Sequence, residues 1–145
     1  MSDSDLIKLY SGRILELAAT IPHQTRLAAP TGTARKRSPL CGSTVTVDVV
    51  MRDGVVVEFG QDVKACALGQ ASASILGAAV LGRNLPQLTV ARDEVRDMLM
   101  SNGPVPASPF DGYQVLIPAS DYKNRHASIL LVLDATIEAA TAIPA

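Results

Sequence analysis

The sequence predicts an α+β fold in which several helices pack on one face of a small antiparallel sheet of about three strands. Three observations predict it. An amphipathic helical pattern opens the chain, a β-branched run broken by one Asp-Gly pair follows, and helical patterns fill most of the second half. A length of 145 residues is typical of one domain, so we expect residues 1–145 to form a single domain around one core.

The first predicted helix covers about residues 4–19. Apolar residues recur there at helical spacing, a serine precedes them by about one turn, and Ile21-Pro22 closes the segment. Residues 22–39 contain three prolines and the basic cluster Arg35-Lys36-Arg37. We interpret most of this segment as a loop, with a short edge strand near residues 28–34.

The central part of the chain predicts a β-hairpin. Residues 44–51 are rich in β-branched side chains, and a second such run over residues 55–59 follows the pair Asp53-Gly54. An Asp-Gly pair between two such runs is typical of a tight turn between antiparallel strands. We therefore expect the two runs to pair.

Three further helical patterns are separated by turns and one long loop. Small and apolar residues over 66–81 are typical of a closely packed, buried helix that begins at or near Cys66. The next helix begins at Leu85-Pro86 and ends before Asn102. Residues 102–121 hold four prolines, which predicts a loop with one turn around residues 113–117, and the last helix runs from about residue 122 to 142.

The composition argues against several classes of protein. With 48% hydrophobic and 19% charged residues, the chain can bury enough apolar surface to fold. Thirteen Lys and Arg against fourteen Asp and Glu give a net charge of −1, which argues against a nucleic-acid partner. No apolar run reaches the roughly 20 residues that a membrane helix needs, and no signal-like N-terminus is present, so we expect a cytoplasmic protein with no membrane partner.

The two cysteines are the main candidates for chemistry. Cys41 lies in a turn just before the first hairpin strand and Cys66 just after the second, so both sulfurs are expected at the same end of the sheet. A helix N-terminus stabilises negative charge and favours the thiolate that both nucleophilic attack and metal binding require, which makes Cys66 the stronger candidate. The alternative is that each cysteine is a small buried apolar residue.

Two other features have both a structural and a functional interpretation. His126 begins the last helix, where it either bonds to the backbone or acts as a metal ligand. The cluster Arg35-Lys36-Arg37 is either a solvated surface or a docking patch for an acidic partner.

Three motifs together resemble one known family. They are Cys41-Gly42-Ser43 before the hairpin, the segment from Cys66 to Ser74 that reads CALGQASAS, and His126-Ala127-Ser128 at the start of the last helix. Across nearly the whole chain, this arrangement resembles the U-type iron-sulfur cluster assembly scaffolds, which include the N-terminal domain of NifU. The resemblance implies that fold, with sulfur or metal bound at Cys41 and Cys66. The long Pro-rich segment before His126 resembles the insertion of the longer branch, whose members bind zinc and act in sulfur transfer.

Two positions depart from the family's motifs. Ser43 stands where the family has an aspartate, and the third family cysteine falls on Ala127 or, in a shifted register, on His126. The resemblance then implies a metal site of Cys41, Cys66 and His126, with Ser43 and Ala127 as additional site positions. Two thiolates and one imidazole suit zinc with an open fourth position, or they hold a [2Fe-2S] cluster incompletely.

Three functional hypotheses follow. The leading one is a scaffold or sulfur-transfer accessory of iron-sulfur cluster assembly, which is not an enzyme and whose implied partners are a cysteine desulfurase and recipient apo-proteins. The second is a metal-free family member that acts as an interaction module for the desulfurase. The third, a thiol enzyme with Cys66 as nucleophile and His126 as base, is the weakest because no oxyanion hole or orienting partner is evident.

Overall fold

The computed structural model describes residues 12–39 and 42–142. In chain order, the elements are helix α1 (Gly12–Ala19), strands β1 (Gly32–Arg37), β2 (Thr44–Arg52) and β3 (Val55–Lys64), helices α2 (Ala67–Ala79) and α3 (Leu85–Ser101), a 3₁₀ helix (Asp111–Asp121) and helix α4 (Lys123–Thr141). The part of the predicted first helix before residue 12 lies outside the described residues.

The sheet has three antiparallel strands with β2 in the centre. The predicted turn joins β2 to β3, and Asp53 and Gly54 both have positive φ angles, 54° and 79°, as a two-residue type I′ turn requires. Inward-facing residues of β2 are buried beneath the helices, namely Val45, Val47 and Val49. This arrangement confirms the predicted α+β class.

Helix α4 is the central helix of the packed face. It contacts β1 and β2 on one side and α2 and α3 on the other. All five residues of its segment 129–133 are apolar, and all are buried. Within the described part of the chain, no helix combines the length and the apolar character that crossing a bilayer requires.

Three elements differ from the sequence-based expectations. The edge strand lies at Gly32–Arg37 instead of residues 28–34, so the basic cluster belongs to a strand and not to a loop. Strand β3 continues past residue 59 to Lys64. This part contains a glycine and two polar residues in place of the β-branched residues that indicate a strand, so the sequence pattern does not predict it. The segment Asp111–Asp121 forms a 3₁₀ helix that includes a proline, where the sequence predicts a loop with one turn.

The segment between α1 and β1 crosses the outer face of the sheet. The Arg26 guanidinium donates to both carboxylate oxygens of the buried Asp48, at 2.6 and 3.1 Å, and Leu27 N–H and Thr33 Oγ1 donate to the same carboxylate. Burial alone would raise the pKa of Asp48, but these hydrogen bonds outweigh it and lower the pKa below its usual value. Gly60 leaves room for the crossing, because a Cβ there would overlap the carbonyl oxygen of the crossing segment.

Candidate functional site

Three polar side chains from separate elements meet at one end of the sheet. Ser43 lies directly before β2, Cys66 directly before α2, and Ser128 in the second turn of α4. The Ser128 Oγ lies 3.3 Å from the Cys66 Sγ and 3.2 Å from the Ser43 Oγ. Both serines are buried whereas the cysteine is half-buried, so the thiol forms the accessible side of this group.

Cys66 occupies the N-cap position of α2. Its backbone is extended, its carbonyl oxygen accepts the first helical hydrogen bond from the Gln70 N–H at 2.9 Å, and its side chain makes no capping bond. This confirms the predicted helix start. The thiol therefore lies at the start of α2, where backbone N–H groups favour negative charge, and its hydrogen-bond partner is Ser128 of another helix.

Gly69 lets α4 approach α2 next to the thiol. A Cβ built on Gly69 would lie 2.8 Å from the Ser128 Oγ and 3.2 Å from the Ser128 carbonyl oxygen. A side chain at this position would push the two helices apart, because packed interiors leave no room for such overlap. Glycine therefore allows Ser128 to come within reach of Cys66.

A buried hydrogen-bond network fixes the same two helices. The Ser72 Oγ on α2 donates to the Ile129 carbonyl oxygen at 2.6 Å, and the Tyr113 hydroxyl from the 3₁₀ helix donates to the Ser72 carbonyl oxygen at 3.1 Å. Tyr113 is fully buried, and desolvation raises its pKa above the usual value, so it stays neutral. Because Ile129 follows Ser128, the network also positions the site. The sequence predicts only a turn around Tyr113, which is one of two aromatic residues in the Pro-rich segment, and no pattern pointed to this role.

Ser128 is the residue of the segment 126–128 that hydrogen-bonds to both Cys66 and Ser43. Successive residues of a helix are turned by about 100°, so residues 126 and 128 point to nearly opposite sides of α4. The His126 ring is buried, and its Nε2 is 2.9 Å from the Ala119 carbonyl oxygen. The ring also lines a separate cavity of about 290 Å³. The structure thus brings Ser43 and Ser128 to Cys66 and turns His126 towards the 3₁₀ helix.

Cys41 lies outside the described residues, but the backbone on both sides of it is described. The Ser38 N–H donates to the Ser43 carbonyl oxygen at 2.8 Å, and the Gly42 N–H donates to the Ser38 carbonyl oxygen at 3.1 Å. Gly42 has a φ of 72°, a conformation that glycine adopts without strain. These bonds close the turn between β1 and β2 at the end of the sheet that carries Cys66. The position of the Cys41 sulfur stays a prediction.

The described donors of the site are one thiol and two hydroxyls. Among residues 12–39 and 42–142, no three His, Cys, Asp or Glu side chains converge as a metal site would require. Neutral hydroxyls are poorer ligands for zinc and iron than thiolates, imidazoles or carboxylates. Among the described side chains of this group, the Cys66 thiol is thus the one strong metal ligand.

Comparison with known proteins finds one family and several similar structures. The family described as NifU-like N terminal domain matches residues 9–128. The crystal structure of the N-terminal part of a nitrogen-fixing NifU-like protein from Brucella abortus is 46% identical, covers 93% of this chain and 94% of that chain, and has a TM-score of 0.90. No curated protein sequence matches the chain.

Two further crystal structures share the fold at low sequence identity. One is a putative iron-sulfur cluster assembly scaffold protein for the SUF system from Fervidobacterium islandicum, with 15% identity, a TM-score of 0.80, and coverage of 92% of this chain and 97% of that chain. The other is a hypothetical protein with 19% identity, a TM-score of 0.81, and coverage of 91% and 96%. At these identities the likeness shows the fold alone.

Proposed function

Because the chain belongs to the family of NifU-like N-terminal domains, we propose that it is an iron-sulfur cluster assembly scaffold or sulfur-transfer accessory that accepts sulfur at Cys66 and Cys41. The observation that carries the proposal is the half-buried Cys66 thiol at the start of α2, within 3.3 Å of the Ser128 hydroxyl. The 46% identity to a NifU-like protein over most of both chains supports it.

In the proposed step, the Cys66 thiolate attacks the terminal sulfur of a persulfide on the donor protein. A new S–S bond forms to Cys66, the S–S bond of the donor breaks, and the donor cysteine leaves as a thiolate, so no external oxidant or reductant is needed. The N–H groups at the start of α2 and the Ser128 hydroxyl favour the negatively charged sulfur of the product.

Resident zinc does not fit the described donors, because Ser43 and Ser128 offer neutral hydroxyls where good ligands are needed. We therefore derive no step through zinc. An iron-sulfur cluster would be cargo, and Cys66 with Cys41 would supply two of the four thiolates that such a cluster ordinarily has. This favours brief holding and delivery to a recipient apo-protein. A ligand role for His126 stays a prediction, and its contact with Ala119 favours a structural role.

The alternative function is a metal-free interaction module for the desulfurase. Two departures from the resembled family favour it: Ser43 stands where the family has an aspartate, and the third family cysteine is absent at Ala127. Under either function the chain assists cluster assembly as a scaffold and is not an enzyme. We propose a cysteine desulfurase and recipient apo-proteins as its partners, and the cytoplasm as its location.

Sulfur loading separates these two functions. The reduced chain is incubated with a cysteine desulfurase of the same organism and L-cysteine, and its intact mass is measured. We expect a mass gain of one sulfur atom per reactive cysteine, which dithiothreitol removes. The gain should fall more in Cys66→Ser than in Cys41→Ser, because Cys66 is the stronger acceptor. A chain that binds the desulfurase but gains no sulfur would be an interaction module, and the sulfur-acceptor proposal would be wrong.

A further inference from the structure

Two rows of side chains on the outer face of the sheet stay uncovered beside the site. Residues that pair across the three strands form a row, with one residue from each strand. The side chains of every second row point to the same face of the sheet. From β1 to β3, the two rows are Arg37, Thr44 and Lys64, and Arg35, Thr46 and Asp62. We call these six residues the basic face.

The next row along the sheet is covered. It contains Asp48, which lies beneath the segment between α1 and β1 and is bound by Arg26. That segment also passes over Gly60, where it leaves no room for a side chain. Arg26 borders the basic face, which residues 12–39 and 42–142 leave open at the Cys66 end of the outer surface.

The basic face carries an excess of positive charge. Arg35, Arg37 and Lys64 are exposed, and none of them forms an ion pair with another described residue. Asp62 is the one carboxylate of the two rows, and the charge of Arg26 at their border is matched by Asp48. Two positive charges remain in excess on a chain whose net charge is −1.

This charge lies next to the thiol site. Lys64 ends β3 two residues before Cys66. On the neighbouring side, a Cβ built on Gly42 would lie 4.0 Å from the Arg37 Nη2, so this guanidinium borders the turn that contains Cys41. A protein bound to the basic face would therefore have part of its surface beside the site.

We propose that the basic face docks an acidic surface segment of the protein that delivers sulfur to Cys66. This inference rests on the proposed function. Exposed cations without counter-ions accelerate the encounter with an oppositely charged protein, by about 10-fold or more at low salt. Nucleic acid fits the face less well, because specific or tight binding to DNA ordinarily engages about 6–10 phosphates and the face offers three cations.

Charge reversal tests the proposal. The first variant is Arg35→Glu, Arg37→Glu and Lys64→Glu. The control reverses three exposed cations elsewhere on the chain: Arg13→Glu, Arg52→Glu and Arg96→Glu. Each reversal changes the net charge by two, so both triple variants have the same overall charge and lose cations from different surfaces; the control also loses the exposed ion pair of Arg13 with Glu16. Sulfur loading is measured with desulfurase and L-cysteine, and separately with inorganic polysulfide, which needs no docking.

We expect the first variant to accept sulfur from the desulfurase at least about tenfold more slowly than the wild type at low salt. The control should load at the wild-type rate, and the polysulfide reaction of the first variant should slow much less than its loading from the desulfurase, because polysulfide is a small anion that does not dock on the face. The difference should shrink at 1 M salt, where the Debye length is about 3 Å. Arg35→Gln, Arg37→Gln and Lys64→Gln provide a milder set if the reversed variant does not fold.

Equal rates for the two charge-reversed variants at low salt would overturn the docking surface while leaving sulfur acceptance intact. Loss of binding to a DNA duplex in the first variant, with normal loading from the desulfurase, would overturn the acidic protein as the occupant. Failure of polysulfide and desulfurase alike to load wild-type Cys66 would instead overturn the proposed function, and the docking inference with it.

Discussion

Replacing Ser43 with aspartate and Ser128 with cysteine should create a zinc site around Cys66. The Ser128 Oγ lies 3.3 Å from the Cys66 Sγ, and two thiolates on one tetrahedral zinc ion are about 3.8 Å apart. The two side chains therefore need to separate by only about 0.5 Å. Ser43 is within 3.2 Å of Ser128, so a carboxylate there reaches the same point, and Cys41 is the expected fourth ligand.

The expected stabilisation follows from ligand linkage. Zinc at a hundredfold excess over its Kd stabilises the folded state by about 2.7 kcal/mol. For a domain of this length, that corresponds to a rise in Tm of about 5–10 °C. The matched control combines Ser43→Asp with Ala127→Cys, which adds the same groups but places the new thiol about 100° around α4 from Ser128.

Thermal unfolding with and without zinc, together with a zinc titration against a chromophoric chelator, measures the effect. We expect the Ser128→Cys variant to gain zinc binding and the rise in Tm, and the Ala127→Cys variant to gain neither. A larger gain in the Ala127→Cys variant, or equal gains in both, would refute the assignment of Ser128 to the third position of the site.

Three further predictions concern the residues around the site and the sheet. Gly69→Ala should slow sulfur loading of Cys66, because its Cβ would displace Ser128. Both Gly69→Ala and the control Gly77→Ala, whose Cβ would lie 2.9 Å from a proline ring, should lower the free energy of unfolding by about 1–3 kcal/mol. The control should not slow loading. Mass spectrometry and urea unfolding separate the two effects. Asp48→Asn should lower the free energy of unfolding by about 2 kcal/mol at pH 7. Because the folded-state pKa of Asp48 is lowered, its contribution is present above a pH of about 4 and is lost as the pH falls through the folded pKa, so urea unfolding of variant and wild type should converge in acid. Tyr113→Phe should cost about 1 kcal/mol in the same urea assay, because it removes the hydroxyl bonded to α2.

The hairpin could be predicted because its signals are local. A β-branched run, an Asp-Gly pair and a second run are sufficient to define two strands and their turn. Strand β1 could not be predicted as clearly, because Thr33, Arg35 and Arg37 are exposed and its two buried residues, Gly32 and Ala34, are small. The end of β3 was equally hidden, because Gln61 is polar but buried, and its Nε2 donates to the carbonyl oxygens of Pro22 and Ala73, which are distant in sequence.

The site could be predicted only in part, because some of its contacts join residues that are distant in sequence. The helix start at Cys66 follows from a change in composition along the chain. The identity of the third residue does not, because it depends on how α4 is rotated against α2, and that rotation is set by packing at Gly69 and by the Tyr113 and Ser72 network. The resemblance to the family's motifs pointed to His126 or Ala127 as the residue near Cys66, whereas the hydrogen bond to Cys66 is made by Ser128.

Peptide mapping of the sulfur-loaded wild type tests the central claim most directly. Trypsin cleaves after Arg37, Arg52, Lys64 and Arg83, so Cys66 lies alone in peptide 65–83 and Cys41 alone in peptide 38–52. After incubation with desulfurase and L-cysteine and alkylation of the products, peptide 65–83 should carry one additional sulfur atom, and less of it should be retained in Ser128→Ala. An unmodified peptide 65–83 from a chain that binds the desulfurase would contradict the assignment of Cys66 as the sulfur acceptor.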